Sequence, residues 1–221
     1  MIRLKKQADR KVRRGYLWIF SNEIQEPHIK DLSPGGIYDV TDFSGEFLGV
    51  AYANPKSLIA ARILSRKKTK IDQSFVISRL QNALDLRSNY CRDREAFRVF
   101  FGEADLIPGL VIDKFGSHLV IQSSTTGIDG ILDLVVEAVD MTFNPQSIVL
   151  RNDSSMRSLE GIPVGKEIRK GTGISIVKFQ SYGLFFVADL INGQKTGFFL
   201  DQEFNRPLLH TYLTRGASVL D

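Results

Sequence analysis

Cysteine is nearly missing from this chain: Cys91 stands alone among 221 residues. A single thiol forms no internal disulfide. The three histidines (His28, His118 and His210) are too scattered to assemble zinc-ligand spacing with it. Each histidine is read as a surface or loop residue, and a reducing, cytoplasmic setting is expected. No apolar run reaches the roughly 18 residues of a membrane span, so no membrane partner is expected. The opening "MIRLKKQADRKVRRGYLWIF" carries cations but lacks the apolar core of a secretory signal. Phosphate-binding glycine patterns are missing too. In "LFFVADLINGQKTGFF" a phosphate loop would need glycines where Gln194 and Asp189 stand. "KGTGIS" (170–175) lacks the third glycine of a dinucleotide fingerprint and leads into a strand. Neither an internal repeat nor a low-complexity stretch occurs.

What is present is ordinary globular composition, 43% hydrophobic and 24% charged, with room for one large or two to three small domains. The net charge of +4 is unevenly spread. Residues 1–70 hold 14 Lys/Arg against 7 Asp/Glu, whereas residues 71–221 hold 15 against 18. Seven cations fall between Arg3 and Arg14, and five between Arg62 and Lys70. A basic module on a near-neutral body is what contact with phosphate backbones requires; a solvated charged face is the alternative.

Periodicity divides the chain in the same place. "RKVRRGYLWIF" reads as a short basic helix leaving at Gly15 into an aromatic strand. Ile37–Thr41 and Glu46–Ala53 form a hairpin around Asp42, Ser44 and Gly45, and "SLIAARILS" adds a third strand. After Lys70 the period changes: Val76, Leu80, Ala83, Leu84 and Arg87 mark an amphipathic helix with Asp72 as its N-cap. Then follow a strand "AFRVFF", a hairpin "LVIDKFGSHLVIQSS", a helix over "TGIDGILDLVVEAVDMTF", a strand "SIVLR" and a hairpin "ISIVKFQSYGLFFVADL". Hairpins among helices predict an α+β fold with a mixed sheet.

Four stretches carry candidate chemistry. "GEADLIPGLVIDKFG" groups Glu103, Asp105 and Asp113, which fit either an acid–base or metal pair or a turn that the acids cap; Pro108 and Gly109 favour the turn. "LRNDSSMRSLEG" holds Arg151, Asp153, Arg157 and Glu160, suited to an internal ion-pair network or to RNA. "GQKTGFFLDQEFNR" offers cations, an acid, an amide and flat rings, the groups that a zwitterionic, adenine-bearing ligand needs; a helix start with core phenylalanines is the alternative. "RRGYLWIFSNEI" places Tyr16 and Trp18 where they can stack on bases, although a buried place in a barrel is the stronger expectation for Trp18.

Taken in chain order, with "RRGYLWIFSNEI" first and "GQKTGFFLDQEFNR" last, these stretches resemble the N-terminal part of S-adenosylmethionine-dependent 23S ribosomal RNA cytosine-5 methyltransferases with an N-terminal PUA-like domain. Leu106 departs from the pattern, standing where a glycine is common. The resemblance implies a PUA-like RNA-binding barrel over residues 1–70, a central α+β domain over 71–188, and the incomplete opening segment of a Rossmann-like methyltransferase domain over 189–221. It implies 23S ribosomal RNA as partner and S-adenosylmethionine as cofactor of the parent enzyme. "SVLD" (218–221) matches the first half of that domain's first strand, so the chain is expected to be interrupted at Asp221, with the catalytic cysteine beyond it and no activity of its own. Cys91, in no motif, is read as a structural or surface thiol. RNA contact is expected from Lys5, Lys6, Arg10, Lys11, Arg13 and Arg14, with Arg66, Lys67 and Lys68 as a second patch. Lys195, Thr196, Phe198, Asp201, Gln202 and Arg206 are the cofactor candidates implied by the resemblance. A stand-alone RNA-binding or ribosome-associated module is the rival reading, a non-RNA structural domain the third. A homodimer is one admissible assembly that the sequence does not decide.

Overall fold

The structure is a computed structural model that describes every residue except Arg92, Asp93, Ile174 and Asp221, together with the side chain of His210. The first unit runs β1 (Ile2–Leu4), α1 (Asp9–Arg13), β2 (Trp18–Ile19), β3 (Ile24–Glu26), β4 (Ile37–Thr41), β5 (Phe47–Ala53) and β6 (Ala61–Ser65). Its six strands form one mixed sheet in the order β2-β6-β5-β4-β1-β3, all antiparallel except the β1–β4 pair. Both edge strands supply the same core: Ile19 of β2 and Ile24 of β3 pack with Ile2, Leu4, Val40 and Ile63. The sheet therefore wraps around a single apolar filling. The basic helix forms as expected and exits through Gly15, whose φ of +113° belongs to the region glycine tolerates.

The second unit opens with α2 (Gln73–Ser88), where the Asp72 carboxylate accepts from Phe75 N at 3.1 Å. β7 (Ala96–Phe101), β8 (Leu110–Phe115) and β9 (His118–Ser123) follow. The next helical stretch breaks at Gly130–Ile131 into α3 (Thr126–Asp129) and α4 (Leu132–Phe143). β10 (Ser147–Asn152), α5 (Met156–Glu160) and β11 (Gly165–Lys170) complete a five-stranded sheet ordered β11-β10-β9-β8-β7, parallel only between β9 and β10. α2 and α4 cover one face through Val76, Leu80, Val135 and Val139. The hairpin of β12 (Ile176–Ser181) and β13 (Leu184–Asp189) meets Phe115, Val120 and Val149 of the sheet through Val177, Phe179 and Ala188. The mixed α+β architecture expected from the hairpins is what forms.

The last stretch contains α6 (Asn205–Tyr212). Residues 218–220, expected to open a strand, carry none: a strand needs a neighbour to pair its N–H and C=O groups, and Leu220 is 99% exposed. Asp221 lies outside the described residues. His118 is not a loop residue: it opens β9, half-buried, with Nδ1 2.8 Å from Ser147 Oγ. Among the described residues no helix is long and apolar enough to cross a membrane.

The two units meet through buried polar groups. Tyr52 of β5 belongs to the second unit's core, and its hydroxyl bonds Pro108 O and Thr125 Oγ1, both at 3.0 Å. Its ring lies against Gly127, where a Cβ would stand 2.0 Å from Tyr52 Cγ, so only glycine fits. Beside it, Arg62 Nη2 of β6 donates to Glu160 Oε1 of α5 at 2.7 Å, and Asn54 Nδ2 donates to Glu160 Oε2 at 2.7 Å. Both members of that ion pair are 6% exposed.

Candidate RNA-facing surface and cofactor element

Lys5, Lys6, Arg10, Lys11, Arg13 and Arg14 are all exposed around α1. Their surroundings differ. Arg13 is held by carboxylates: Asp9 one turn earlier at 2.7 Å, and Asp42 (2.8 Å) and Glu46 (2.7 Å) from the β4–β5 turn. Bonding to Glu46 first, then Asp9, raises its pKa further above the ordinary guanidinium value. Lys11 pairs with Glu23 at 3.2 Å and lies over the Phe20 ring, and Lys5 Nζ donates to Asn22 O at 2.8 Å. Lys6, Arg10 and Arg14 make no salt bridge among the described residues. In the second patch, Lys68 pairs with Asp39 at 3.1 Å, while Arg66 and Lys67 are exposed and unpaired among the described residues.

Trp18 does not enter the barrel core. It is half-buried at the edge strand, edge-to-face with Tyr16 at 5.9 Å, and its Nε1–H donates to Glu103 Oε1 at 2.8 Å. The three acids of "GEADLIPGLVIDKFG" are thereby explained singly. Glu103 ties the first unit to the second. Asp105 takes a two-point bond from Arg87 (3.0 and 2.7 Å), and Asp113, fully buried, takes one from Arg98 (2.8 and 2.9 Å). Of the charges of "LRNDSSMRSLEG", Arg151, Arg157 and Glu160 are buried, and Asp153 is exposed and paired to Arg151 at 3.1 Å. Arg151 donates to Leu190 O and Gly193 O, and Arg157 to Ser123 O and to Asp129.

The "GQKTGFFLDQEFNR" element begins in a tight turn after β13. The Asp189 carboxylate accepts from Asn192 N (2.8 Å), Ser175 Oγ (2.7 Å) and Ile191 N (3.0 Å). Those donors, Asn192 N first, hold its pKa down at about 2. Gly193 and Gly197 crowd Asp189 O; a Cβ would stand 2.5 and 2.8 Å from it. The six cofactor candidates do not share one place. Thr196 is fully buried and its hydroxyl donates to Asp113 at 2.6 Å. Arg206 lies over the Phe198 and Phe186 rings (4.5 and 5.0 Å) and donates to Phe199 O. Gln202 accepts from Asn205. Lys195, Phe198 and Asp201 line a cleft of about 330 Å³ with Arg87, Arg94 and Arg98. There Lys195 is paired to Asp201 at 3.2 Å, and Phe198 packs against Phe179 and Phe186. Their polar groups and ring faces are engaged by one another, so taken alone these residues do not fit S-adenosylmethionine.

Sequence reasoning missed Arg79. It stands on α2 one turn after Phe75, half-buried, with its Nη2 donating to Leu64 O at 2.9 Å. Its only sequence signal is a cation on the helix face that otherwise carries apolar residues.

Residues 2–66 match the family model of the PUA-like domain. The whole chain is similar to two proteins named ribosomal RNA large subunit methyltransferase I. The one from Shewanella denitrificans is 31% identical over 224 residues, covering 100% of this chain and 56% of that relative. The one from Yersinia pseudotuberculosis is 32% identical over 223 residues, 99% of this chain and 56% of the relative. The chain thus spans little more than half the length of the curated relatives it matches. Among solved structures, a candidate SAM-dependent methyltransferase from Streptococcus mutans superposes with a TM-score of 0.77 at 21% identity, over 95% of this chain and 54% of that one. A candidate methyltransferase complexed with SAH gives 0.78 at 22%, over 95% and 53%. These two likenesses speak to the fold.

Proposed function

We propose that this chain binds large-subunit ribosomal RNA and positions it for S-adenosylmethionine-dependent methyl transfer. The observation that carries the reading is the PUA-like unit with Lys6, Arg10 and Arg14 exposed, and unpaired among the described residues, on one short segment, in a chain similar over its whole length to ribosomal RNA methyltransferases. Within this reading residues 1–70 bind RNA, residues 71–188 orient it, and residues 189–221 abut the methyl-transfer machinery. The modified base is cytosine at C5, as the sequence resemblance implies.

Cytosine-5 transfer needs a thiolate that attacks C6 of the base. Cys91 does not suit that task. Burial, its largest influence, raises its thiol pKa, the direction opposite to activation. S-adenosylmethionine would supply the electrophilic methyl group; Lys195, Phe198 and Asp201, engaged by one another and by neighbouring rings, do not by themselves hold it. We therefore expect no turnover and no cofactor affinity from the 221-residue chain alone; micromolar S-adenosylmethionine binding by calorimetry would contradict this. The reading itself is tested by replacing Lys6, Arg10 and Arg14 with Ala. RNA affinity should fall across sequences, and the slope of log K against log salt should shrink by about 2, near 0.7 per lost phosphate contact on single strands. Unchanged affinity at moderate salt would remove the N-terminal cations from the RNA surface.

A further inference from the structure

Beside the exposed cations, Arg79 is a half-buried cation without an assigned task. The Arg79 guanidinium sits over the Phe75 ring at 5.1 Å, and its Nε is shielded from solvent without any hydrogen-bond partner among the described residues. Desolvation alone acts on its pKa, lowering it, with no acid near enough to offset the burial. A guanidinium stays protonated in proteins, so this is a partly desolvated charge without a counter-ion among the described residues.

Arg79 lines a cleft of about 540 Å³ between the end of β6 and α2, together with Arg66, Lys67 and Lys68 and with no carboxylate in its lining. At Leu17 and Leu106 this cleft adjoins a second hollow of about 300 Å³, lined also by Tyr16, Trp18 and Glu103. The result is one trough with a cationic end and an aromatic end. The Glu103 carboxylate disfavours a phosphate at the aromatic end, which fixes the polarity of an occupant: phosphate at Arg79, ring at Trp18. Leu106 forms the shared wall in a left-handed backbone conformation (φ +67°), which is unfavourable for a non-glycine residue. Strain of this kind persists where surrounding structure holds it and gathers at ligand sites.

We propose that the trough is a single-stranded RNA subsite, in which Arg79, supported by Arg66 and Lys67, holds a backbone phosphate and the Tyr16–Trp18 pair stacks the adjoining base. The proposal rests on the RNA-binding reading above and deepens it by naming the strand state and the gripping residues. An A-form duplex keeps its bases stacked inside and cannot offer one to these rings, whereas an unpaired strand alternates phosphate and base as the trough does.

Trp18 is the sole tryptophan, so its emission reports on this site alone. The 221-residue chain is titrated with a fluorescein-labelled single-stranded oligoribonucleotide of about twelve nucleotides, a length within known single-strand site sizes, and with a duplex of equal length. Trp18 quenching is followed on the unlabelled strands and anisotropy on the labelled ones. Single-stranded RNA should quench Trp18 in step with binding, and the duplex should not. Arg79→Met, which keeps the packing stem, should weaken binding several-fold and reduce the salt slope by about 0.7. Tyr16→Ala should weaken it about 5- to 150-fold, the range for loss of one base–aromatic stack. Leu106→Gly relieves the backbone and removes the wall, so it should weaken binding while melting no lower than wild type. Should Arg79→Met fail to fold, Arg66→Ala with Lys67→Ala replaces it, both side chains being exposed. Normal RNA affinity in these variants, or binding without Trp18 quenching, overturns the subsite and leaves the RNA-binding reading standing. Absence of RNA binding by the wild-type chain overturns both.

Discussion

Replacing Glu160 by Gln should loosen the joint between the two units and cost about 3–5 kcal/mol, the range for breaking a buried ion pair by removing one partner. The carboxylate receives Arg62 Nη2 and Asn54 Nδ2, both at 2.7 Å, and Thr126 N at 3.4 Å. An amide has one acceptor oxygen where the carboxylate has two, so it faces either Arg62 or Asn54 with an N–H. With the Arg62 and Glu160 side chains only 8% and 6% exposed, no water replaces the lost contact. For a chain of this length each kcal/mol lowers Tm by about 2–4 °C, so the variant should melt roughly 6–20 °C below wild type. Arg62→Met should cost a similar amount. The double variant Arg62→Met/Glu160→Met should cost clearly less than the sum, because no orphaned charge remains. The pH dependence has a definite sign. Burial alone would raise the Glu160 pKa, but the Asn54 and Arg62 donors outweigh it, and the net value lies below the ordinary 4.5. Stability from this group is therefore complete above about pH 4.5 and is lost as pH falls through the lower folded value. Urea unfolding of the four proteins at neutral and acid pH measures all of this. A Glu160→Gln cost under about 1 kcal/mol, or strict additivity in the double variant, would refute the idea that this pair joins the units.

Other consequences follow from single contacts. Thr196→Val removes a donor from a buried carboxylate and should cost about 1.5–3 kcal/mol in thermal unfolding, marking Thr196 as a structural residue; a neutral result would free it for ligand contact. Gly127→Ala drives a methyl group into the Tyr52 ring and should cost at least about 1–3 kcal/mol, visible as a lower urea midpoint. The Asp189 carboxyl should titrate near 2 by NMR, so its contribution to the turn is complete above the ordinary 3.8 and is lost as pH falls from there through about 2; titration near 4 would mean the donors are not in place.

Much of this fold could be read where local signals and burial agree. Asp72 followed by apolar residues at helical spacing gave α2, and turn residues between β-branched runs gave the hairpins. The strand β11 gave no such signal: "GKEIRK" is exposed at all positions but Lys170 and is mostly charged, and pairing with β10 alone makes it a strand. The β1–β4 pairing was equally hidden, because no local pattern encodes a parallel partner far along the chain. At the site, composition located the basic module, yet it could not tell Arg13, which faces Asp9, Asp42 and Glu46, from Arg10 and Arg14. It was also silent on Arg79, whose burial arises only when Leu64 O and the end of β6 fold against α2.

The central claim is that this chain grips RNA through its phosphates. The most direct test is the affinity of the wild-type chain for a large-subunit ribosomal RNA fragment across a salt series. Log K should fall linearly with log salt at a slope of about −3 to −5, from some four to seven phosphate contacts at near 0.7 each. Binding that is absent, or that ignores salt, would contradict it.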